Sequence, residues 1–345
     1  MPELYSASVT SHQTTFGHIT PFAFTAPWWA KNRHVQTIYG RYFGKHPTIA
    51  FESERVELDD GDFIDLAWAP KPTECQGLVI LFHGLEGSKD SHYIKHAVHV
   101  LSQQYHCVVM HFRGCSGVAN RTPRAYHSGE TSDPKVIIQL LQARYPDQPI
   151  YALGFSLGGN MLCKLNAEYA DQNPLSGSVV VSAPLRLDAC ARAINQGFAK
   201  VYERRLLRSM QANLKQKMQT MDYMEKVRVE AHEVEQLTSF ELFDENVTAP
   251  LHGFAGAQDY YAKCSGLGFL HAIEKPTLVI HAQDDPFMNA DVIPKAHQLS
   301  ASVAYEMSQN GGHVGFFTGP PWRVKCDHLA LRARDFFTEI GEKKP

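Results

Sequence analysis

Apolar positions along this chain gather in short unbroken runs instead of alternating with polar ones. Residues 77–82 (GLVILF), 107–112 (CVVMHF), 150–154 (IYALG), 177–182 (GSVVVS) and 275–282 (KPTLVIHA) are the clearest cases. Runs of that length without alternation suit strands buried on both faces, as in a parallel sheet covered by helices on each side. Segments of helical character separate them, at 92–104, 133–145 and Leu157–Tyr169. Asp133 followed by Pro134 predicts an N-cap and a first helical position. A strand at about 303–307 and a closing helix over 323–340 complete the rhythm, which predicts an α/β fold with a mostly parallel central sheet.

Two regions depart from it. Upstream, residues 54–58 and Phe63–Trp68 read as strands joined by Asp59-Asp60-Gly61-Asp62, strong hairpin chemistry. Before them, residues 21–30 (PFAFTAPWWA) are aromatic and broken by prolines, so neither helix nor strand is expected to persist. Downstream, 186–273 is charged and helix-rich without a clear strand, as an inserted cap over a site would be. The expected organisation is an N-terminal extension over 1–50 packing on the core, a core over 51–185 and 274–345, and a helical lid over 186–273.

Composition narrows the class. An apolar fraction of 44% and a charged fraction of 20% belong to a globular protein with a sizeable core. The formal net charge of −3 provides no field for nucleic acid, and no such partner is expected. The seven cysteines are scattered, odd in number and without a C-x-x-C pair, which suits reduced thiols in a cytoplasmic protein. Residues 1–11 lack the basic start and apolar run of a signal peptide, and no stretch approaches the ~18 apolar residues of a membrane span.

The chemistry begins at Gly154-Phe155-Ser156-Leu157-Gly158, a G-x-S-x-G motif between a predicted strand and a predicted helix. Glycines permit the tight turn that lifts a serine hydroxyl clear of the sheet. Such a serine needs a base, and the base an orienting carboxylate, in the chain order serine, acid, histidine. Past the last strands lie His281-Ala282-Gln283-Asp284-Asp285-Pro286 and Asn310-Gly311-Gly312-His313-Val314-Gly315. His313 is the preferred base. Asp285, directly before a proline, is preferred to Asp284 as the acid, with Asp284 kept as the alternative. The loop His83-Gly84-Leu85-Glu86-Gly87-Ser88 ends the first buried strand, so the Leu85 and Leu157 N–H groups are the candidate oxyanion donors.

Other residues invite other chemistry. His83, His111, His127 and His281 could meet near the sheet edge, but no metal-binding spacing such as H-E-x-x-H occurs. Buried, hydrogen-bonded histidines are expected, with no metal or cofactor. Arg113-Gly114-Cys115-Ser116-Gly117 reads as a structural loop with Arg113 in a salt bridge, and Cys115 follows the wrong strand for a nucleophile. Between residues 192 and 228 nine Lys/Arg face three acids, a local balance of +6. Alternation with apolar residues over 198–214 gives an amphipathic helix. It reads as a solvated face, as a lid element laid against anionic lipid in a peripheral membrane contact, or as a receiver of an acidic substrate.

Taken together, several ordered blocks resemble one family. They are Asn32-Arg33-His34-Val35-Gln36-Thr37, His83 to Ser88, HFRGCSG at 111–117, YHSGET at 126–131, GFSLGGN at 154–160, HAQDDPFM at 281–288 and GGHVGF at 311–316. They are similar to those of the bacterial YheT-type hydrolases, the fourth family in common classifications of the α/β-hydrolases. The resemblance implies an α/β-hydrolase fold, a Ser156–Asp285–His313 triad and carboxylesterase activity. Eukaryotic relatives act on lipid esters such as monoacylglycerols and phospholipids and carry an N-terminal membrane anchor, which residues 1–11 do not suggest here. The expected reaction is hydrolysis of a small-molecule or lipid ester through an acyl-enzyme. The alternatives are acyl transfer to an alcohol by the same residues, or a catalytically silent binding protein.

Overall fold

The computed structural model describes residues 13–223 and 225–342. The strands are β1 (Ile19–Pro21), β2 (Glu52–Glu57), β3 (Phe63–Trp68), β4 (Leu78–Phe82), β5 (His106–Met110), β6 (Ile150–Phe155), β7 (Leu175–Val181), β8 (Thr277–Ala282) and β9 (Val303–Ser308). They form one nine-stranded sheet in the order β1-β9-β8-β7-β6-β4-β5-β3-β2. Pairing is parallel from β1 through β5 along that order, and the β5–β3 and β3–β2 pairs are antiparallel. Every residue of β4, β6 and β8 is buried, which is why these strands are mostly apolar, with Thr277 and His281 the polar exceptions in β8.

The helices are α1 (Arg33–Phe43), α2 (His92–Leu101), α3 (Ser132–Arg144), α4 (Leu157–Tyr169), α5 (Leu187–Ile194), α6 (Lys200–Met218), α7 (Phe240–Phe243), α8 (Ala249–Leu251), α9 (Ala257–Cys264) and α10 (His328–Glu342). One face of the sheet is covered by α3 and α4 through Ile137, Leu141, Met161 and Leu162. The other is covered by α2 and α10 through Ile94, Val98, Ala333 and Phe337. From β4 the chain passes to β5 on one side and later to β6 on the other. That reversal opens a crevice at the C-terminal ends of β4 and β6, where open α/β sheets bind ligands. Residues 186–273 are helices and turns, with a small core of their own around Leu207, Leu214, Val234 and Phe243.

Two elements depart from the sequence reading. Residues 22–30 hold only a short 3₁₀ turn at Trp28–Ala30, as expected of that irregular stretch, but it is flanked by β1 and α1, which the sequence did not announce. β1 pairs with β9 (Ile19 opposite Tyr305), and α1 is capped by Asn32, whose Oδ1 accepts the His34 N–H at 2.8 Å. A three-residue strand has no periodicity to read. Asp133 is not an N-cap: α3 begins at Ser132 with Thr131 before it, and the carboxylate is taken by Arg113 through two bonds of 2.7 Å. The tertiary partner outweighs the local preference.

Arg113 also reaches Asp60 at 2.7 Å and Asp62 at 3.2 Å, and its side chain is 1% exposed. Hydrogen bonds from Asn120, Thr122 and two backbone amides hold the Asp62 carboxyl down to about 2 despite burial. Arg113 thus ties the β2–β3 hairpin to α3 from below the crevice. Replacing it by methionine leaves the buried Asp62 and Asp133 carboxylates without their counter-charge, and should destabilise the fold by about 3–5 kcal/mol in urea unfolding. A loss under about 1 kcal/mol would show that water replaces the guanidinium without penalty.

Candidate active site

Ser156 sits between β6 and α4 with φ 51 and ψ −118, a left-handed conformation that a serine adopts only under constraint. The constraint is close packing. A Cβ on Gly158 would lie 2.6 Å from the His83 carbonyl oxygen and 2.7 Å from that of Phe82, so α4 can press its first turn against the end of β4. A Cβ on Gly154 would strike the Gly158 carbonyl at 2.6 Å. The Ser156 N–H is bound to the Val181 carbonyl at 2.8 Å.

His313 stands in the glycine-rich loop after β9, where Gly311 and Gly312 have φ 154 and 58. Its Nε2 lies 3.0 Å from Ser156 Oγ and its Nδ1 2.8 Å from Asp285 Oδ2. A carboxylate only accepts, so the proton belongs on Nδ1, and Nε2 is left to accept from the serine. Asp285 is 1% exposed, and its Oδ1 accepts the Phe287 N–H at 2.8 Å. The Phe287 ring stacks on the imidazole at 4.0 Å between centroids. Asp284 faces elsewhere: its carboxylate accepts the Gly312 N–H at 2.9 Å and joins the β8 loop to the β9 loop, while burial raises its carboxyl above the ordinary value.

The loop after β4 lies directly over Ser156, since a Cβ on Gly84 would be 3.2 Å from the serine Cβ. Neither the Leu85 nor the Leu157 N–H has an intramolecular acceptor among the described residues. His83, read from sequence only as a buried histidine, sets this loop. The Phe112 N–H donates to its Nε2 at 3.2 Å, which places the ring proton on Nδ1 and directs it to the Gly84 carbonyl at 2.7 Å. The Gly84 C=O and Leu85 N–H share one trans peptide plane and point in opposite directions. Fixing the carbonyl therefore fixes the amide. Thr37 of α1 was also missed: its Oγ1 accepts the His313 N–H at 3.0 Å. The block Asn32 to Thr37 was visible in the sequence, but nothing local tied it to a loop 276 residues away.

The chain matches the family model described as the alpha/beta hydrolase fold over residues 77–320. It is 43% identical to the YheT protein of Escherichia coli (strain K12), named as an esterase, over 91% of this chain and 92% of that one. The chain belongs to the YheT-like branch of the α/β-hydrolases. Members of this esterase- and lipase-type family include the Mus musculus phospholipase ABHD3, 26% identical over 91% of this chain and 78% of that protein. Among solved structures an esterase of Pyrococcus furiosus shares the fold, with a TM-score of 0.55 at 13% identity over 95% of this chain and 98% of its own.

In this α/β-hydrolase a cavity of about 120 Å³ opens beside Ser156 and His313. Leu187 and Ile194 of α5 and Leu206 and Met210 of α6 form much of its wall. A second cavity, of about 230 Å³, shares Leu85, Tyr126 and Met210 with the first. The seven thiols are all free, and burial pushes that of Cys115 up, away from nucleophilic use. Among the described residues no helix is long and apolar enough to cross a membrane.

The four histidines singled out from sequence do not converge. His83 and His111 are neighbours, with ring centroids 6.2 Å apart, whereas His127 joins His252 and Glu130. That last group poorly suits a cation. The Gly129 N–H donates to His127 Nδ1 at 3.1 Å, so Nε2, the atom facing Glu130, carries the proton, and Arg124 already pairs with Glu130 at 2.9 Å. Burial holds His83, His92 and His252 down to about 3, and His127 and His281 to about 4. Each ring stays neutral in the folded state where the unfolded chain binds a proton. Each contribution to stability is therefore complete above the ordinary value of 6.5 and is lost as pH falls towards 3 to 4. Asp244, raised to about 6 by burial, opposes this between 3.8 and 6, and burial also raises Asp284 and Glu203, but the lowered histidines, His96 among them, outnumber these carboxyls. The urea midpoint should therefore fall between about pH 6.5 and 4, before the Asp62 and Glu130 carboxylates titrate. A midpoint constant over that interval would mean that these rings are hydrated in the native state.

Proposed function

We propose that this α/β-hydrolase cleaves carboxylic esters, lipid esters among them, through an acyl-enzyme on Ser156. The observation that carries the reading is His313, held at 2.8 Å by the buried Asp285 and facing Ser156 Oγ at 3.0 Å. His313 Nε2 takes the hydroxyl proton as Oγ attacks the ester carbonyl. The Leu85 and Leu157 N–H groups stabilise the oxyanion. His313 then protonates the departing alcohol, takes a proton from water as it attacks the acyl-enzyme, and returns it to Ser156 when the acid leaves. Asp285 keeps the imidazole in the required tautomer and stabilises the imidazolium. The residues of α5 and α6 form a cap, and their apolar wall suits the acyl chain.

The test is hydrolysis of nitrophenyl esters of graded chain length by the purified protein. Turnover of at least some esters, with a preference that shifts when Met210 or Ile194 is enlarged to tryptophan, supports the reading. A folded protein that hydrolyses none of them refutes it. A further expectation concerns the oxyanion loop. His83→Phe keeps a ring of similar size but removes both hydrogen bonds, and should lower kcat on the order of 10- to 100-fold while KM changes little. A rise in KM with unchanged kcat would place His83 in substrate binding instead.

A further inference from the structure

Large aromatic side chains stand in solvent beside the entrance to this site. Trp28 is 82% exposed, Trp322 84%, Phe43 69% and Phe198 53%. They come from three segments that the fold brings together. The Trp29 indole N–H donates to the Gly319 carbonyl at 2.9 Å, and the Tyr39 hydroxyl to that of Pro321 at 3.0 Å, which binds the Trp322 turn to α1. His34 of α1 packs on Phe198 at 4.6 Å and bonds the Tyr202 hydroxyl at 3.1 Å, which binds α1 to the start of α6. From there the rings lead inward: Tyr202 meets Phe287 at 5.1 Å, and Phe287 stacks on His313. The exposed patch thus rims the catalytic crevice.

Its charge is predominantly positive. Residues 28–45 contain no acid, and residues 197–208 contain one, Glu203, which is 1% exposed and accepts the Phe240 N–H at 2.9 Å. Lys31, Arg33, Arg41, Lys200, Arg204 and Arg205 make no ion pair among the described residues, although cations elsewhere in the insertion do, such as Arg192 and Lys215. Arg205 lies over the Tyr42 ring at 5.5 Å, and burial with the nearby Arg41 pulls its guanidinium below the ordinary value. Among the described residues no ion pair offsets this repulsion. Exposed tryptophans interleaved with cations that make no ion pair are the chemistry of a surface that meets anionic headgroups.

We propose that the face formed by Trp28, the end of α1, the Trp322 turn and the start of α6 docks on an anionic phospholipid bilayer. The inference builds on the proposed ester hydrolysis, since it places the crevice mouth at the lipid surface, but binding itself requires no turnover. The contact involves the N-terminal segment as much as the basic insertion.

The experiment uses Ser156→Ala protein sedimented with vesicles of phosphatidylcholine alone, or of equal parts phosphatidylcholine and phosphatidylserine. The protein should sediment with the mixed vesicles only, and a rise in salt should release it. Arg41→Glu/Arg205→Glu and Trp28→Ser/Trp322→Ser should each bind at least about tenfold more weakly. Made with Ser156 intact, these variants should hydrolyse soluble short-chain esters as the wild type does. Failure to sediment, or binding unchanged in both variants, overturns the proposal whatever the esterase assay shows. So does a wild-type dimer in solution that Trp28→Ser/Trp322→Ser dissociates, which would assign the face to a second copy of the chain. Absence of hydrolysis with intact vesicle binding would instead refute the catalytic reading alone.

Discussion

Ser156→Ala protein is expected to unfold within about 1 kcal/mol of wild type, while losing fluorophosphonate labelling and on the order of 10⁴-fold or more of its ester turnover. The asymmetry follows from the position of the hydroxyl. The tight turn is imposed by Gly154 and Gly158 packing and by the Ser156 N–H bond to Val181, none of which uses Oγ. Removing Oγ deletes one hydrogen bond, to His313, in a half-buried site open to the crevice. The reaction, by contrast, loses the atom to which the acyl group would be attached. Labelling on a gel and a urea midpoint together read the two halves. Turnover persisting in the variant would mean that water is activated directly and that no acyl-enzyme forms.

The second large effect separates the adjacent aspartates. Asp285→Asn should reduce kcat on the order of 10⁴-fold, and Asp284→Asn less than about tenfold. An amide at 285 can turn its NH₂ towards His313 Nδ1. The imidazole proton then moves to Nε2 and points at Ser156, which leaves the serine without a base. At 284 an amide oxygen can still accept the Gly312 N–H at 2.9 Å, so the loop carrying His313 keeps its place. Steady-state rates on one soluble ester suffice for the comparison. If Asp284→Asn were the more damaging, the orienting role would pass to Asp284, against the distances seen here.

What was legible in the sequence, and what was not, divides along physical lines. β4, β6 and β8 were readable because burial on both faces demands unbroken apolar runs, and α4 was readable because a glycine-rich strand-to-helix turn precedes it. The residues that the structure brings together around Ser156 were readable because the topology delivers strand ends to one crevice. The supports were not. β1 is three residues long and exists only because β9 offers an edge. Thr37 is one threonine on a polar helix until the β9 loop is laid against it. His83 revealed a histidine next to a glycine, but which carbonyl it would hold depends on the Phe112 N–H across the neighbouring strand end. Asp133 shows the converse, a correct local rule overridden by an arginine elsewhere in the chain. Features set by backbone burial appear locally, whereas those set by contacts across the sheet appear only once it is assembled.

The docking of β1 on β9 bears on how the molecule comes into being. During synthesis β1 emerges long before its sheet partner β9 and before Glu339 of α10, which Thr14 binds. At ordinary elongation rates that segment waits on the order of tens of seconds on the ribosome with no edge to join. For that period its aromatic side chains are available to chaperones or to aggregation. Because Thr37 anchors the loop that carries His313, that histidine also takes its place only when α1 and the β9 loop meet. A hydrolase assembled in this order brings His313 to Ser156 only after the β9 loop has been made.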